Sequence, residues 1–157
     1  MEKTNAMRIL EQHKIPYEVF IYPHEEGICV EGAIVAQLLN ENPSQVFKTL
    51  VSQGASKQYY VFVIPVDKEL DLKKAAKSVK EKSVELVAVK DLLYLTGYIR
   101  GGCSPIGMKK RYFTILDLTA KTLPYILCSA GKIGYQVKIC PKDLAKVLNV
   151  QFFEITR

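Results

Sequence analysis

Apolar residues change their spacing several times along the chain, and each change predicts an element. Residues 4–14 read as an amphipathic helix capped by Thr4, with Met7, Ile9 and Leu10 inward, and Ile15-Pro16 ends it. Tyr17–Tyr22 reads as a strand. Glu31–Asn40 returns to helical spacing, with Ile34, Val35, Leu38 and Leu39 on one stripe and Asn42-Pro43 closing it. Val46–Ser52 and Gln58–Ile64 are strand-like runs joined by the turn-rich "QGASK". Asp71 caps a helix that buries Leu72, Ala75, Ala76 and Val79. A short strand over Val84–Val87 follows, then a helix over Lys90–Thr96 that Gly97 stops. Strands at Tyr112–Asp117, Tyr125–Ser129 and Tyr135–Cys140, a helix from Pro141 to Leu148 and a strand at Val150–Ile155 complete the pattern.

Strands outnumber helices and several neighbours sit at hairpin spacing. The expected class is α+β: one domain over residues 1–157, with a mostly antiparallel, barrel-like mixed sheet and helices outside. A chain of 157 residues can bury a real core. Its longest apolar runs, such as Tyr59–Ile64, are far too short to span a bilayer, and "MEKTNAMRIL" lacks the apolar stretch of a secretory signal. A cytoplasmic protein is the expectation. Four cysteines without a C-x-x-C pair, and only two histidines, fit reduced thiols and no metal site.

The densest candidate chemistry is "GGCSPIG", Gly101 to Gly107, followed directly by Lys109-Lys110-Arg111. Glycine lets backbone approach a ligand or take positive φ, and proline fixes the path beyond. Cys103 and Ser104 suggest a nucleophile, but the loop equally suits a tight connection between strands. A nucleophile needs a base. His13 falls at the exposed end of the first helix, and His24 in "YPHEEG" has no orienting third residue. The loop makes better sense as a surface whose backbone N–H groups hold an oxygen. Lys48 shares one face of its strand with Val46 and Leu50, while Phe47, Thr49 and Val51 take the other. Such a lysine either snorkels from a strand edge or points into a pocket. "SAGKIG", Ser129 to Gly134, is a hairpin turn that can present a hydroxyl to a pocket rim.

A net charge of +6 suits a polyanionic partner. Lys73, Lys77 and Lys80 recur at helical spacing with Lys74 and Lys82 nearby, and Lys109, Lys110 and Arg111 form a second cluster beside the glycine loop. Charge runs are often only solvated faces. Two clusters in one small domain favour contact with a phosphate backbone.

Taken in order, "VFKTLV", "LKKAAKSV", "TGYIRGGCSPIGMKKR", "SAGKIG" and "PKDLAKVL" resemble the YbaK-type aminoacyl-tRNA deacylases, over essentially the whole chain. That family has the fold of the editing domain inserted into bacterial prolyl-tRNA synthetases. The resemblance implies trans-editing hydrolysis of the ester in Cys-tRNA(Pro), extending to Cys-tRNA(Cys), without a cofactor or metal. Aminoacyl-tRNA is the implied partner, with prolyl-tRNA synthetase as a further one. It makes Lys48, Gly101 and Gly102 the catalytic set, and Tyr22, Thr49, Cys103, Ser104, Pro105 and Ser129 the substrate-binding set. Lys73, Lys77, Lys109, Lys110 and Arg111 are then the tRNA-binding residues. Cys103 departs from the aliphatic residue usual at its position. An ester is already activated, so positioning and charge stabilisation suffice, and the substrate's thiol or the ribose 2′-OH can attack or activate. The other readings are an Ala-tRNA(Pro) deacylase, a non-catalytic module that binds tRNA or a synthetase, and a small-molecule thiol hydrolase.

Overall fold

Thr4 opens the fold as the pattern predicts. In the computed structural model, which describes residues 2–157, its Oγ1 accepts the Met7 N–H and donates to the Ala130 carbonyl. The helix it caps, α1 (Asn5–Gln12), is thereby tied to the distant second turn while Ala6, Met7 and Leu10 go into the core. The elements that follow are β1 (Glu18–Ile21), α2 (Gly32–Leu38), β2 (Phe47–Gly54), β3 (Tyr59–Pro65), α3 (Leu72–Ser78), β4 (Val84–Leu86) and α4 (Val89–Thr96). β5 (Phe113–Asp117), β6 (Ile126–Ser129), β7 (Tyr135–Ile139), α5 (Pro141–Val147) and β8 (Val150–Phe153) complete the order. Two short 3-10 turns, Pro43–Gln45 and Leu118–Thr122, were not predicted. Each starts at an Asn or Asp whose side chain accepts an N–H two residues on.

The strands form two sheets, ordered β4-β2-β3-β5-β8 and β1-β7-β6. β2 pairs antiparallel with β3 and β4, and β7 pairs antiparallel with β1 and β6. β5 runs parallel to both β3 and β8. The class is therefore α+β and mostly antiparallel. Among the described residues the sheets do not close into a barrel: the one ladder contact between them is a parallel bridge from Val46 to Leu127. The parallel pairs join strands far apart in sequence, where hairpin spacing carries no signal.

β3 is the central strand, and its alternation is used on both faces. Val61 and Val63 join Phe47, Val51, Leu116, Ile126, Cys128 and Val137 in the main core between the sheets. Tyr60, Phe62 and Ile64 face the other way onto Ala75 and Ala76 of α3. A third, small cluster holds Ala36 of α2 against Val46 and Leu127, at the bridge between the sheets. Two apolar expectations fail here. Ile34 and Leu38 are 45% exposed, because α2 turns the neighbouring Val35, Ala36 and Leu39 stripe onto the sheet. Leu72, the first residue of α3, is also exposed and borders a groove rather than the core beneath Ala75 and Ala76.

Candidate active site

The site grows from β2 immediately after the bridge. Phe47 and Val51 pack into the main core, which turns Lys48 and Leu50 to the opposite face. Lys48 is half-buried and makes no hydrogen bond or ion pair with any described residue. It lines a cavity of about 320 Å³ walled by β2, the Cys29–Val35 segment, the glycine loop and the β6–β7 hairpin. Tyr22, Thr49, Gly101, Cys103 and Ser129 line the same cavity. Of the alternatives open for Lys48, the pocket is the one the fold realises.

The glycine loop has two different requirements for its two leading residues. Gly101 has φ of +88°, and a Cβ there would stand 3.0 Å from Cys29 Sγ and 3.2 Å from Cys29 Cα. Gly102 has ordinary φ, but its Cβ would meet the backbone of Lys132 and Ile133 at 3.1–3.2 Å. The first glycine lets the loop approach the cavity wall; the second lets it lie flat on the β6–β7 turn. The Gly102 N–H donates to the Ile99 carbonyl at 3.0 Å, so it is not free to bind an oxygen. The amides of Gly101 and Cys103 have no acceptor among the described residues.

Ser104 and Pro105 lie elsewhere. Ser104 is fully buried, does not line the cavity, and accepts the Ile106 N–H through Oγ in a turn. Pro105 borders a separate groove with His13, Lys110 and Arg111. Ser129 does reach the cavity, and its Oγ also accepts the Gly131 N–H at 3.1 Å.

Two cysteines line the cavity, Cys29 exposed and Cys103 buried. Burial pushes the Cys103 thiol up to about 11, against a smaller lowering by Thr96, so it stays protonated at neutral pH. His24 does not line the cavity. Its Nδ1 lies 2.7 Å from the Tyr22 carbonyl, and its ring stands edge-on between Tyr22 and Tyr135. Tyr22 is 2% exposed, and burial raises its phenol, which leaves a neutral donor at the wall. Among the described residues, no three His, Cys, Asp or Glu side chains cluster to hold a metal, and no helix is long and apolar enough to cross a membrane.

The model of the aminoacyl-tRNA editing domain family matches residues 32–147, which include Lys48, the glycine loop and the β6–β7 hairpin. The chain belongs to that family. It is 47% identical over 156 residues to EbsC of Enterococcus faecalis, provisionally named a Cys-tRNA(Pro)/Cys-tRNA(Cys) deacylase, covering 99% of this chain and 94% of that one. A proline–tRNA ligase of Kosmotoga olearia is 27% identical over 104 residues, 66% of this chain but only 18% of the ligase. Among solved structures, one provisionally described as a trans-editing enzyme for prolyl-tRNA synthetase superposes with a TM-score of 0.84. It is 22% identical and covers 100% of this chain and 99% of that one, a likeness of fold.

Around this editing-domain cavity the expected cations divide. Lys73 lines a groove that shares Lys48 and Leu50 with the cavity and also contains Leu86 and Arg157. Lys77 borders a further depression with Lys80 and Lys82. Lys109 lies 5.8 Å over the Tyr94 ring, and Lys110 and Arg111 stay in the Pro105 groove. Four polar or ionisable cavity residues escaped the sequence reading: Cys29, Glu31, Arg100 and Gln136. Gln136 had a usable signal, since the "SAGKIG" turn sets it directly opposite Ser129. Arg100 stood next to the glycines. Cys29 lies in an irregular stretch without periodicity, and only the fold brings it to Gly101.

Proposed function

We propose that this protein is a trans-acting editing deacylase that hydrolyses the ester joining cysteine to a tRNA, with Cys-tRNA(Pro) as the main substrate. The observation that carries the reading is Lys48: an ammonium with no partner among the described residues, lining a cavity of about 320 Å³ whose wall also holds Gly101 and Cys103, two residues whose amides have no acceptor among the described residues. Lys48 anchors an oxygen of the aminoacyl ester or of the terminal ribose. The Gly101 and Cys103 N–H groups donate to the carbonyl oxygen as it gains negative charge, while Tyr22 and Ser129 supply neutral hydroxyls to the wall. Gly102 contributes by packing the loop onto the hairpin turn.

No protein nucleophile is required. When the substrate sulfur attacks the ester carbon, the bond to the ribose oxygen breaks and the thiol proton passes to that oxygen. The acyl group then leaves as a thiolactone, which water opens. When water attacks instead, free cysteine and the tRNA hydroxyl form directly. The EbsC likeness supports cysteine as the acyl group, and the ligase likeness supports proline tRNA and a synthetase partner. For the tRNA itself, Arg100 in the cavity and Lys73 in the adjoining groove, beside Arg157, are the first candidate contacts; Lys77, Lys110 and Arg111 border other depressions and Lys109 lies over Tyr94.

The test is a panel of tRNA(Pro) and tRNA(Cys) charged with cysteine, alanine or proline, with deacylation rates measured for wild type and Lys48→Ala. Fast clearance of Cys-tRNA that depends on Lys48 is expected. Preferential clearance of Ala-tRNA(Pro) would reassign the acyl group, and no clearance of any substrate would leave a binding module.

A further inference from the structure

The acyl group of an aminoacyl ester is joined directly to a ribose oxygen, and that ribose carries a base. A cavity that takes the acyl group therefore needs room for a nucleoside beside it. A groove of about 630 Å³ adjoins the cavity at Lys48 and Leu50, which line both. The depressions beside Pro105 and beside Tyr17 share no lining residue with the cavity. Register explains the sharing. Lys48 and Leu50 pair with Ile64 and Phe62, and Ser52 pairs with Leu86. Lys48, Leu50 and Leu86 consequently leave the sheet on the one face that also carries α3. Leu70 to Lys73, leading into α3, and Arg157 complete the groove wall.

The groove has the chemistry of a base site. Leu72 and Leu86 are 46% and 50% exposed, and both line it. A single exposed leucine means little, but two in one groove beside Leu50 offer apolar surface to a flat ring. Its charges nearly balance: Lys48, Lys73 and Arg157 against Glu69 and Asp71. Arg157 is spent on Glu69 at 2.9 Å, and Asp71 Oδ1 accepts the Lys73 and Lys74 N–H groups. Such a floor suits an uncharged base better than a run of phosphates. The Lys73 ammonium has no ion-pair partner among the described residues and suits one phosphate at the rim. Leu72 and Lys73 also line the next depression, with Lys77, Lys80 and Lys82. Its carboxylate, Glu81, is already bonded to Ser56 and Tyr60. Cavity, groove and lysine-bordered depression thus run into one another.

We infer that the groove of Leu72 and Leu86 seats the terminal adenosine of the tRNA, and that the strand leading to it runs along α3 over Lys73 and Lys77. This rests on the deacylase reading for the identity of the ligand. Lys48, which lines both hollows, is then at the ester that joins their contents. Every tRNA ends in the same nucleoside, so the groove supplies affinity and register, while choice of amino acid falls to the cavity.

The experiment uses two non-hydrolysable probes: 3′-deoxyadenosine carrying L-cysteine through a 3′-amide, and its abasic counterpart, with hydrogen in place of the base. Calorimetric titration of the intact wild-type protein should show the nucleoside probe bound roughly 10-fold or more tightly, as burial of a base against leucine side chains supplies. The double variant Leu72→Ser, Leu86→Ser should bring that ratio to near unity with little change in Tm, since both side chains are half exposed. Leu118→Ser, at a leucine equally exposed but outside the groove, should leave the ratio unchanged. Methyl spectra of the wild type read the contact without any substitution: the ring current of the base should shift the Leu72 and Leu86 methyls, and the abasic probe should not. Lys73→Gln should weaken a probe extended by a 5′ cytidylate more than the single nucleoside. Equal binding of the two probes, binding of neither, a preference that survives in the double variant or collapses in Leu118→Ser, or methyl shifts confined to other residues would each overturn the inference. Because binding is read without hydrolysis, the two claims separate. Base preference with leucine shifts in a protein that clears no charged tRNA sinks the deacylase reading alone. Clearance of Cys-tRNA without them sinks the adenosine seat alone.

Discussion

The two long walls of the cavity treat their polar groups in opposite ways. Along the glycine loop most are spent internally: the Gly102 N–H on Ile99, Ser104 Oγ on the Ile106 N–H, and the Ile106 carbonyl on the Tyr98 hydroxyl. Across the cavity, the Lys48 ammonium, Thr49 Oγ1 and Gln136 Oε1 have no partner among the described residues. The loop carries the more suggestive sequence, with its thiol, hydroxyl and glycines, yet those conspicuous side chains build the loop. The β2 and β7 wall looks like ordinary strand and holds the unspent capacity. A side chain that the fold has already satisfied is a poor candidate for chemistry, whatever its reactivity in isolation.

The sharpest way to break this contrast is to delete an unspent group. Lys48→Ala should lower kcat/KM for Cys-tRNA(Pro) by about 100-fold or more while shifting Tm little, since no protein partner loses a contact. A large fall in Tm with activity retained would make Lys48 structural and erase the distinction. On the loop side, Gly101→Ala should reduce both stability and activity, because its positive φ and the 3.0–3.2 Å approach to Cys29 leave no room for a methyl group. Thermal melts combined with single-turnover deacylation would show both losses; an unaffected Gly101→Ala would mean the loop is looser than its geometry.

Next in size is the response to salt. Each phosphate contact contributes a slope of roughly 0.7 to 0.9 in log K against log salt. Lys73→Glu and Arg100→Glu should weaken tRNA affinity and flatten that slope more than Lys110→Glu and Arg111→Glu do. The reverse ranking would shift the tRNA path to the Pro105 groove. Cys103→Ala should have the smallest effect on activity, staying within about threefold of wild type, because a protonated buried thiol gives little to an electrostatic mechanism. Its signature is in stability against pH. With the folded thiol raised from 9.0 to about 11, the folded state keeps its proton longer than the unfolded chain, so this contribution is intact below pH 9 and lost as pH rises towards 11. Denaturant melts of Cys103→Ala should fall less steeply over that window, leaving the alkaline limb to Cys128, Tyr98 and Tyr17, each raised to about 12 chiefly by burial.

How far the sequence reaches follows the same division. Local signals place nearly every element: Thr4 and Asp71 cap their helices, Gly97 ends one in the left-handed region, and the β2–β3 and β6–β7 hairpins follow their turn residues. What it misses is set by distance or by competition between faces. The parallel β3–β5–β8 arrangement joins remote strands, and the exposure of Ile34 and Leu38 depends on which of two adjacent stripes α2 presents. The site shows the same split. Tyr22, Lys48, Thr49, Gly101, Cys103 and Ser129 were legible and do converge. Ser104 and Pro105 shared their motif but turn away from the cavity, because a loop pivoting over glycine sends successive residues in different directions.

The attachment of the first residues to the last third of the chain has a consequence for biosynthesis. Thr4 bonds to Ala130, Asn5 to Gly107, and every residue of β1 pairs with β7. A ribosome delivers the amino end first, so α1 and β1 emerge long before any of these partners exists. Their apolar faces must wait, unfolded or transiently shielded, through more than a hundred further peptide bonds, while the β2–β3 hairpin can form as soon as it clears the exit tunnel. Folding from the middle outwards, with the leading segment docking late, is the order that this connectivity imposes.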